Sequence, residues 1–100
     1  GQKPLVYCEQ NGRLSFASEL AVLLEDKSIR PLVDWQAVFH YLTFMCVPSP
    51  GTAFKGVKKL PPAHYLTYRD GKLEIIRYWR LDYSRKIKVT REEACERIRF

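Results

Sequence analysis

Residues 47–63 constrain most strongly what this chain can fold into. Pro48, Pro50, Gly51, Gly56, Pro61 and Pro62 interrupt every regular period there. Proline cannot donate to a hydrogen-bond ladder and restricts the residue before it, so the stretch reads as a connector, neither strand nor helix. Ala53, Phe54, Val57 and Leu60 are apolar anchors within it, which predicts an ordered, packed connector. Regular structure must lie on either side.

On the N-terminal side, Leu5-Val6-Tyr7-Cys8-Glu9 is a β-prone run. Asn11-Gly12 supplies two residues that tolerate positive φ, and Leu14-Ser15-Phe16-Ala17 returns as a partner strand. Ser18 is the candidate N-cap of a helix over 19–25, with Leu20, Leu23 and Leu24 on one face. Asp34 caps a second helix over 35–44, whose Trp35, Val38, Phe39 and Leu42 form an apolar stripe widened by Tyr41 and Phe44. On the C-terminal side, 64–68 alternates, Asp70-Gly71 turns, and 73–81 returns. Residues 82–89 are polar and basic, an exposed connection. Thr90-Arg91-Glu92-Glu93 has the T-x-x-E pattern of a capping box, opening a helix with Ala94, Ile98 and Phe100 on its apolar face. The pattern predicts an α+β fold of two antiparallel β-hairpins with three helical segments.

Composition bounds the function. The chain has 100 residues, and 46% are hydrophobic, enough for a core and against disorder. A chain this short buries only about 60–65% of its unfolded surface, so its stability is marginal. The net charge of +6 points to a nucleic-acid or anionic-membrane surface, or to a solvated face, or to a surface that meets an acidic part of a larger protein. No RNA-binding signature accompanies the charge. Cys8, Cys46 and Cys95 are far apart and form no C-x-x-C pair, and His40 and His64 stand at no zinc spacing from them, which excludes a recognisable metal motif. Three thiols without a pairing pattern fit a reducing cytoplasm. No apolar run reaches membrane-spanning length.

The motifs, taken in order, resemble the class II glutamine amidotransferase family of the asparagine synthetase type. Gly1-Gln2-Lys3-Pro4-Leu5-Val6-Tyr7 is similar to that family's G-x-K-P-L-x-Y strand, and Phe16-Ala17-Ser18-Glu19 to its F-A-S-E segment. The run from Tyr41 to Thr52 resembles Y-L-x-F-x-x-V-P-x-P-x-T. The run from Phe54 to His64 resembles F-x-G-[IV]-x-K-L-x-P-G-H, with Ala63 replacing the usual glycine. Tyr78-Trp79 matches the pair that closes the hairpin. The substitution at Ala63 implies a turn there that does without positive φ.

The resemblance implies an enzyme larger than 100 residues. Its N-terminal domain, an Ntn-type αββα glutaminase sandwich, hydrolyses glutamine with an N-terminal cysteine. Ammonia passes to a second domain, where ATP, with Mg, activates a carboxylate, aspartate in the name-giving case. An S-G-G-x-D-S loop holds the pyrophosphate there. Residues 1–81 then form the C-terminal part of the amidotransferase domain with its hairpin. Residues 82–100 form the linker and first helix of the ATP-binding synthase domain. Residue 1 is Gly rather than Cys, and no catalytic, cofactor-binding or metal residue is assigned within the chain. Gln2 matches a position near the family's inter-domain ammonia path. The partners implied are the remaining domains, with self-association in isolation and neither nucleic acid nor membrane.

Single residues carry further expectations. All three cysteines read as small buried hydrophobes. His64 is expected to bond within the Pro-Pro turn, and His40 to lie exposed or at an interface. Glu19 reads as structural, at the positive end of a helix dipole. Trp35 and Trp79 read as packing anchors, and Tyr65, Tyr68 and Tyr78 as sheet aromatics in cross-strand pairs. Two alternatives stay open: a stand-alone basic module that binds nucleic acid, and an amidotransferase that acts on another carboxylate.

Overall fold

A computed structural model describes residues 2–99. Gly1, part of the first motif, and Phe100, expected on the last helix's apolar face, lie outside the described residues. The elements run β1 (Val6–Gln10), β2 (Arg13–Ala17), α1 (Leu20–Leu23), α2 (Trp35–Phe44), β3 (Val57–Lys59), β4 (His64–Arg69), β5 (Lys72–Arg77) and α3 (Arg91–Ile98). The architecture is mixed α and β, with two antiparallel sheets and three helices.

Both hairpins form at the turn dipeptides. Asn11 and Gly12 have φ of 53° and 71°, and Asp70 and Gly71 have 50° and 73°. Paired positive φ values match the right-handed twist of the strands they join. The register places Tyr7 opposite Phe16 and, in the second hairpin, Leu66 opposite Ile75. The second return strand ends at Arg77, short of the expected Leu81. Its last rung is the Tyr78 N–H donating to the Ala63 carbonyl at 2.9 Å, and residues 78–90 then run without regular structure.

The connector departs from expectation. Val57–Lys59 is a strand, paired antiparallel to β1, so β1 is the centre of a β2-β1-β3 sheet. The prolines stand outside this three-residue run. Central placement buries Val6, Tyr7 and Cys8. Val6, Cys8 and Val57 share one face and pack with Leu23 and Ile29, bordered by Ala17, Leu20, Leu24 and Phe54. Tyr7 points to the other face, as the pleat requires.

Helix α1 has one turn where the leucine spacing suggests two. Glu19, in place of Ser18, stands at its N-cap, with an extended backbone and no side-chain capping bond. The Glu25 and Asp26 N–H groups reach the Val22 and Leu23 carbonyls at 3.2 Å each, a tighter i to i+3 pattern. Asp26 then bonds Ser28, and the chain leaves the helix. Helix α2 starts as expected, with Asp34 accepting from the Gln36 and Ala37 N–H groups. It ends on Met45, whose φ of 56° is the left-handed conformation that terminates helices. Helix α3 carries the full capping box between Thr90 and Glu93.

Candidate functional site

The connector is built around one buried hydroxyl. Thr52 is buried, and its Oγ1 lies 2.8 Å from the Val57 carbonyl and 3.0 Å from the Phe54 carbonyl. It also accepts the Phe54 N–H at 3.1 Å. One side chain thus satisfies backbone groups that the irregular chain leaves without ladder partners. Lys59 extends the lock. Its Nζ donates to the Val47 carbonyl at 2.7 Å, and its N–H to the Pro50 carbonyl at 2.8 Å. The Leu60 N–H then reaches the Leu5 carbonyl at 2.8 Å, tying the connector to the start of β1.

Beside this lock lies a groove of about 290 Å³, bordered by Val6, Leu20, Tyr41, Cys46, Thr52 and Lys59. A second groove, about 400 Å³, opens between the two sheets, with Leu14, Phe16 and Leu60 on one side and Leu66 and Tyr68 on the other. The Tyr68 hydroxyl is buried without a hydrogen-bond partner among the described residues. Both grooves are largely apolar.

Helix α2 turns its large apolar side chains outward. Trp35 is 74% exposed, and Phe39 and Leu42 are comparably open, while the buried residue is the small Ala37. Trp35 is therefore no packing anchor in this structure, and neither is Trp79, at 57% exposed. The stripe was legible, but nothing within the described residues covers it.

The cysteines divide. Cys8 is buried, and desolvation followed by the nearby Asp26 charge pushes its thiol pKa up, which makes it a poor nucleophile. Cys46 and Cys95 are exposed, contrary to the expectation of burial: Cys46 lies on irregular chain after α2, and Cys95 on α3, which buries none of its residues. His64 Nδ1 sits 2.7 Å from the Pro62 carbonyl, the turn contact expected of it. His40 is half-buried between the Phe39 and Phe44 rings, at 6.3 and 6.1 Å. Tyr65 stacks on Tyr78 at 6.5 Å, a sheet-end aromatic pair. Ala63 has φ of 60°, so the turn uses the left-handed region after all, and alanine occupies a glycine-favouring conformation.

Asp26 was missed by sequence reasoning. Its carboxylate accepts from the Ser28 N–H at 3.0 Å, Ser28 Oγ at 2.6 Å, Ser15 Oγ at 3.0 Å and Arg13 Nη2 at 2.9 Å. The two Ser28 bonds lead in holding its pKa low, with Ser15 and Arg13 adding to them. The Asp-x-Ser spacing is a signal for the local half of this network. The half that reaches back to β2 has none. Thr52 and Lys59 stand at fixed positions of the resembled motifs, but their role in bracing the connector was not read, because a lone Thr and a Lys-Lys pair look like solvated surface.

Gln2 is exposed on irregular chain ahead of β1 and borders neither groove. Among the described residues, no three of His, Cys, Asp and Glu stand close enough to hold a metal ion. Among the described residues, no helix is long and apolar enough to cross a membrane.

Comparison with known families decides the assignment. The glutamine amidotransferase domain family matches residues 1–79. The chain belongs to this family. Asparagine synthetase (glutamine-hydrolyzing) 3 of Bacillus subtilis (strain 168) is 34% identical over 83 residues, covering 82% of this chain and 14% of the relative. Asparagine synthetase (glutamine-hydrolyzing) 1 of the same organism is 33% identical over 86 residues, covering 84% of the chain and 13% of the relative. The amidotransferase chain thus spans about one seventh of the length of these curated relatives. No solved structure matches it significantly. The matched region contains both hairpins and the connector lock, and residues 80–99 with α3 lie beyond it.

Proposed function

We propose that the chain is part of a glutamine-dependent asparagine synthetase. In this reading the whole enzyme converts ATP, aspartate, glutamine and water to asparagine, glutamate, AMP and pyrophosphate in the cytoplasm, with Mg accompanying ATP. The observation that carries it is the family match over 1–79 together with the identity to two asparagine synthetases across more than four-fifths of the chain.

Residues 1–81 are the later part of an Ntn-type αββα glutaminase domain, and 82–100 are the linker and first helix of the ATP-binding synthase domain. The catalytic cysteine and the pyrophosphate loop belong to other parts of the enzyme, so the 100 residues alone hydrolyse no glutamine and form no amide. Gln2, exposed ahead of β1, stands at the edge of the ammonia path. The outward face of α2 supports this reading, since a stripe of large apolar side chains is a surface that other parts of a protein cover.

The test begins with the coding sequence on both sides. An upstream Met-Cys start and a downstream S-G-G-x-D-S loop are expected. The full-length enzyme is then assayed for asparagine formation from aspartate, ATP and glutamine. Glutamine hydrolysis without asparagine formation would overturn the aspartate assignment and favour an amidotransferase acting on another carboxylate. A start codon at Gly1 with a stop after Phe100 would overturn the synthetase reading altogether.

A further inference from the structure

The charge of this chain is concentrated in one place. Residues 77–91 carry six basic side chains (Arg77, Arg80, Arg85, Lys86, Lys88, Arg91) against one acid, Asp82, a net +5 of the chain's +6. All six are exposed. Among the described residues, none of them takes part in an ion pair. Asp82 is the one opposing charge: the Ser84 hydroxyl, then the Ser84 N–H at 2.8 Å, hold its pKa low, and among the described residues it forms no ion pair with any of the six.

The same stretch is apolar in a second sense. Tyr78, Trp79, Leu81, Tyr83 and Ile87 are all largely exposed, and the backbone over 78–90 has no regular structure to spend on. Six of the nine residues 77–85 are Arg, Tyr or Trp, the residue types that dominate binding energy at protein interfaces. A solvated linker needs no such side chains, and its composition is ordinarily polar and small.

We propose that residues 77–91 form a cationic and aromatic strip that docks on an acidic protein surface with apolar pockets. Complementary charge brings the surfaces together and sets their register, and the desolvated rings and aliphatic side chains hold the contact. The strip differs from a nucleic-acid platform in two ways. Trp79 and Tyr83 stand on irregular chain and not on the face of a sheet, where single-strand binders present their stacking residues. Leu81 and Ile87, interleaved with the rings, have no role on a phosphate backbone. The inference concerns the chemistry of the partner and does not depend on the synthetase reading.

The test titrates the chain against a fluorescently labelled glutamate–tyrosine copolymer, read by anisotropy, with poly-L-glutamate and single-stranded DNA as comparison probes. The copolymer binds most tightly if the strip recognises acidic protein. Reversing Arg80, Arg85, Lys86 and Lys88 to Glu lowers its affinity by about tenfold or more, and the same four-charge reversal at Lys3, Arg30, Lys55 and Lys58 by about threefold or less. Replacing Trp79 and Tyr83 with Ala weakens the copolymer but not poly-L-glutamate. Circular dichroism checks the fold of each variant. The milder pair Arg85→Gln and Lys86→Gln gives a smaller loss in the same order should the fourfold reversal not fold. Equal losses from the two reversals, or no effect of the aromatic replacements, would overturn the proposal. Tighter binding to DNA than to the copolymer would also overturn it, in favour of a nucleic-acid surface.

Discussion

At Ala63 the chain holds a methyl group where the backbone asks for none. A φ of 60° costs an L-residue roughly 1–2 kcal/mol relative to glycine, and glycine gives back part of that in unfolded-state entropy. Ala63→Gly is therefore expected to stabilise the fold by about 0.5–1 kcal/mol, measured by urea denaturation. A destabilisation would mean the methyl group packs better than its conformation costs. Asp26 makes a pH prediction. Its folded pKa is depressed, first by Ser28 and then by Ser15 and Arg13, so its contribution is present above the ordinary carboxylate value of about 3.9. That contribution is lost as the pH falls through the lower folded value. The acid arm of the stability profile should flatten in Asp26→Asn, and an unchanged arm would remove Asp26 from the account. Thiol chemistry follows the exposure pattern: Cys46 and Cys95 should react rapidly with an aromatic disulfide reagent in the native state, and Cys8 only on unfolding. Rapid reaction of all three would contradict the burial of Cys8.

Elements in this chain differ in what holds them. The hairpins are held by their turns and ladders. Helix α1 is held by almost nothing of its own, since one turn cannot offset the cost of nucleation. Its anchor is Leu23, buried against Val6, Cys8 and Val57. Leu23→Ala is expected to cost about 3 kcal/mol, the usual range for a buried leucine whose site cannot collapse. In a chain of marginal stability that loss should leave it largely unfolded at room temperature, as read by circular dichroism. A loss below about 1 kcal/mol would show that the site repacks. The strand β3 teaches the same lesson from the other side. Three residues, Val57–Lys59, become a strand because β1 offers a free edge and because Thr52 and Lys59 brace the chain around them. Nothing in their own pattern distinguishes them from loop.

The whole molecule is open. Its radius of gyration is 19.0 Å, against about 13 Å for a compact chain of this length. Its accessible surface is 8757 Å², against about 5,900 Å² for a compact monomer of its mass. The excess exceeds what one partner contributes to an ordinary protein interface. Much of it is apolar, on α2 and on the two sheet faces. In isolation the chain should self-associate at micromolar concentration, as seen by light scattering. The double change Phe39→Lys and Leu42→Lys should reduce that association without lowering helix content. A monomer at all concentrations would overturn this, as would association insensitive to those charges.

What the sequence alone determined is local. Asn11-Gly12, Asp70-Gly71, Asp34 and the Thr90–Glu93 box each act within four residues, so the hairpin turns and helix starts were readable without tertiary information. The order of motifs likewise sufficed to place the chain in the amidotransferase family. Tertiary structure decided everything that depends on a neighbour distant in sequence. It made a strand of Val57–Lys59, tied Asp26 back to Arg13 and Ser15 of β2, and set Ala63 in the left-handed region. It also sent Trp35 and Trp79 to the surface. Amphipathic spacing reports that a helix has an apolar face, but whether that face is buried depends on which surfaces the fold brings against it.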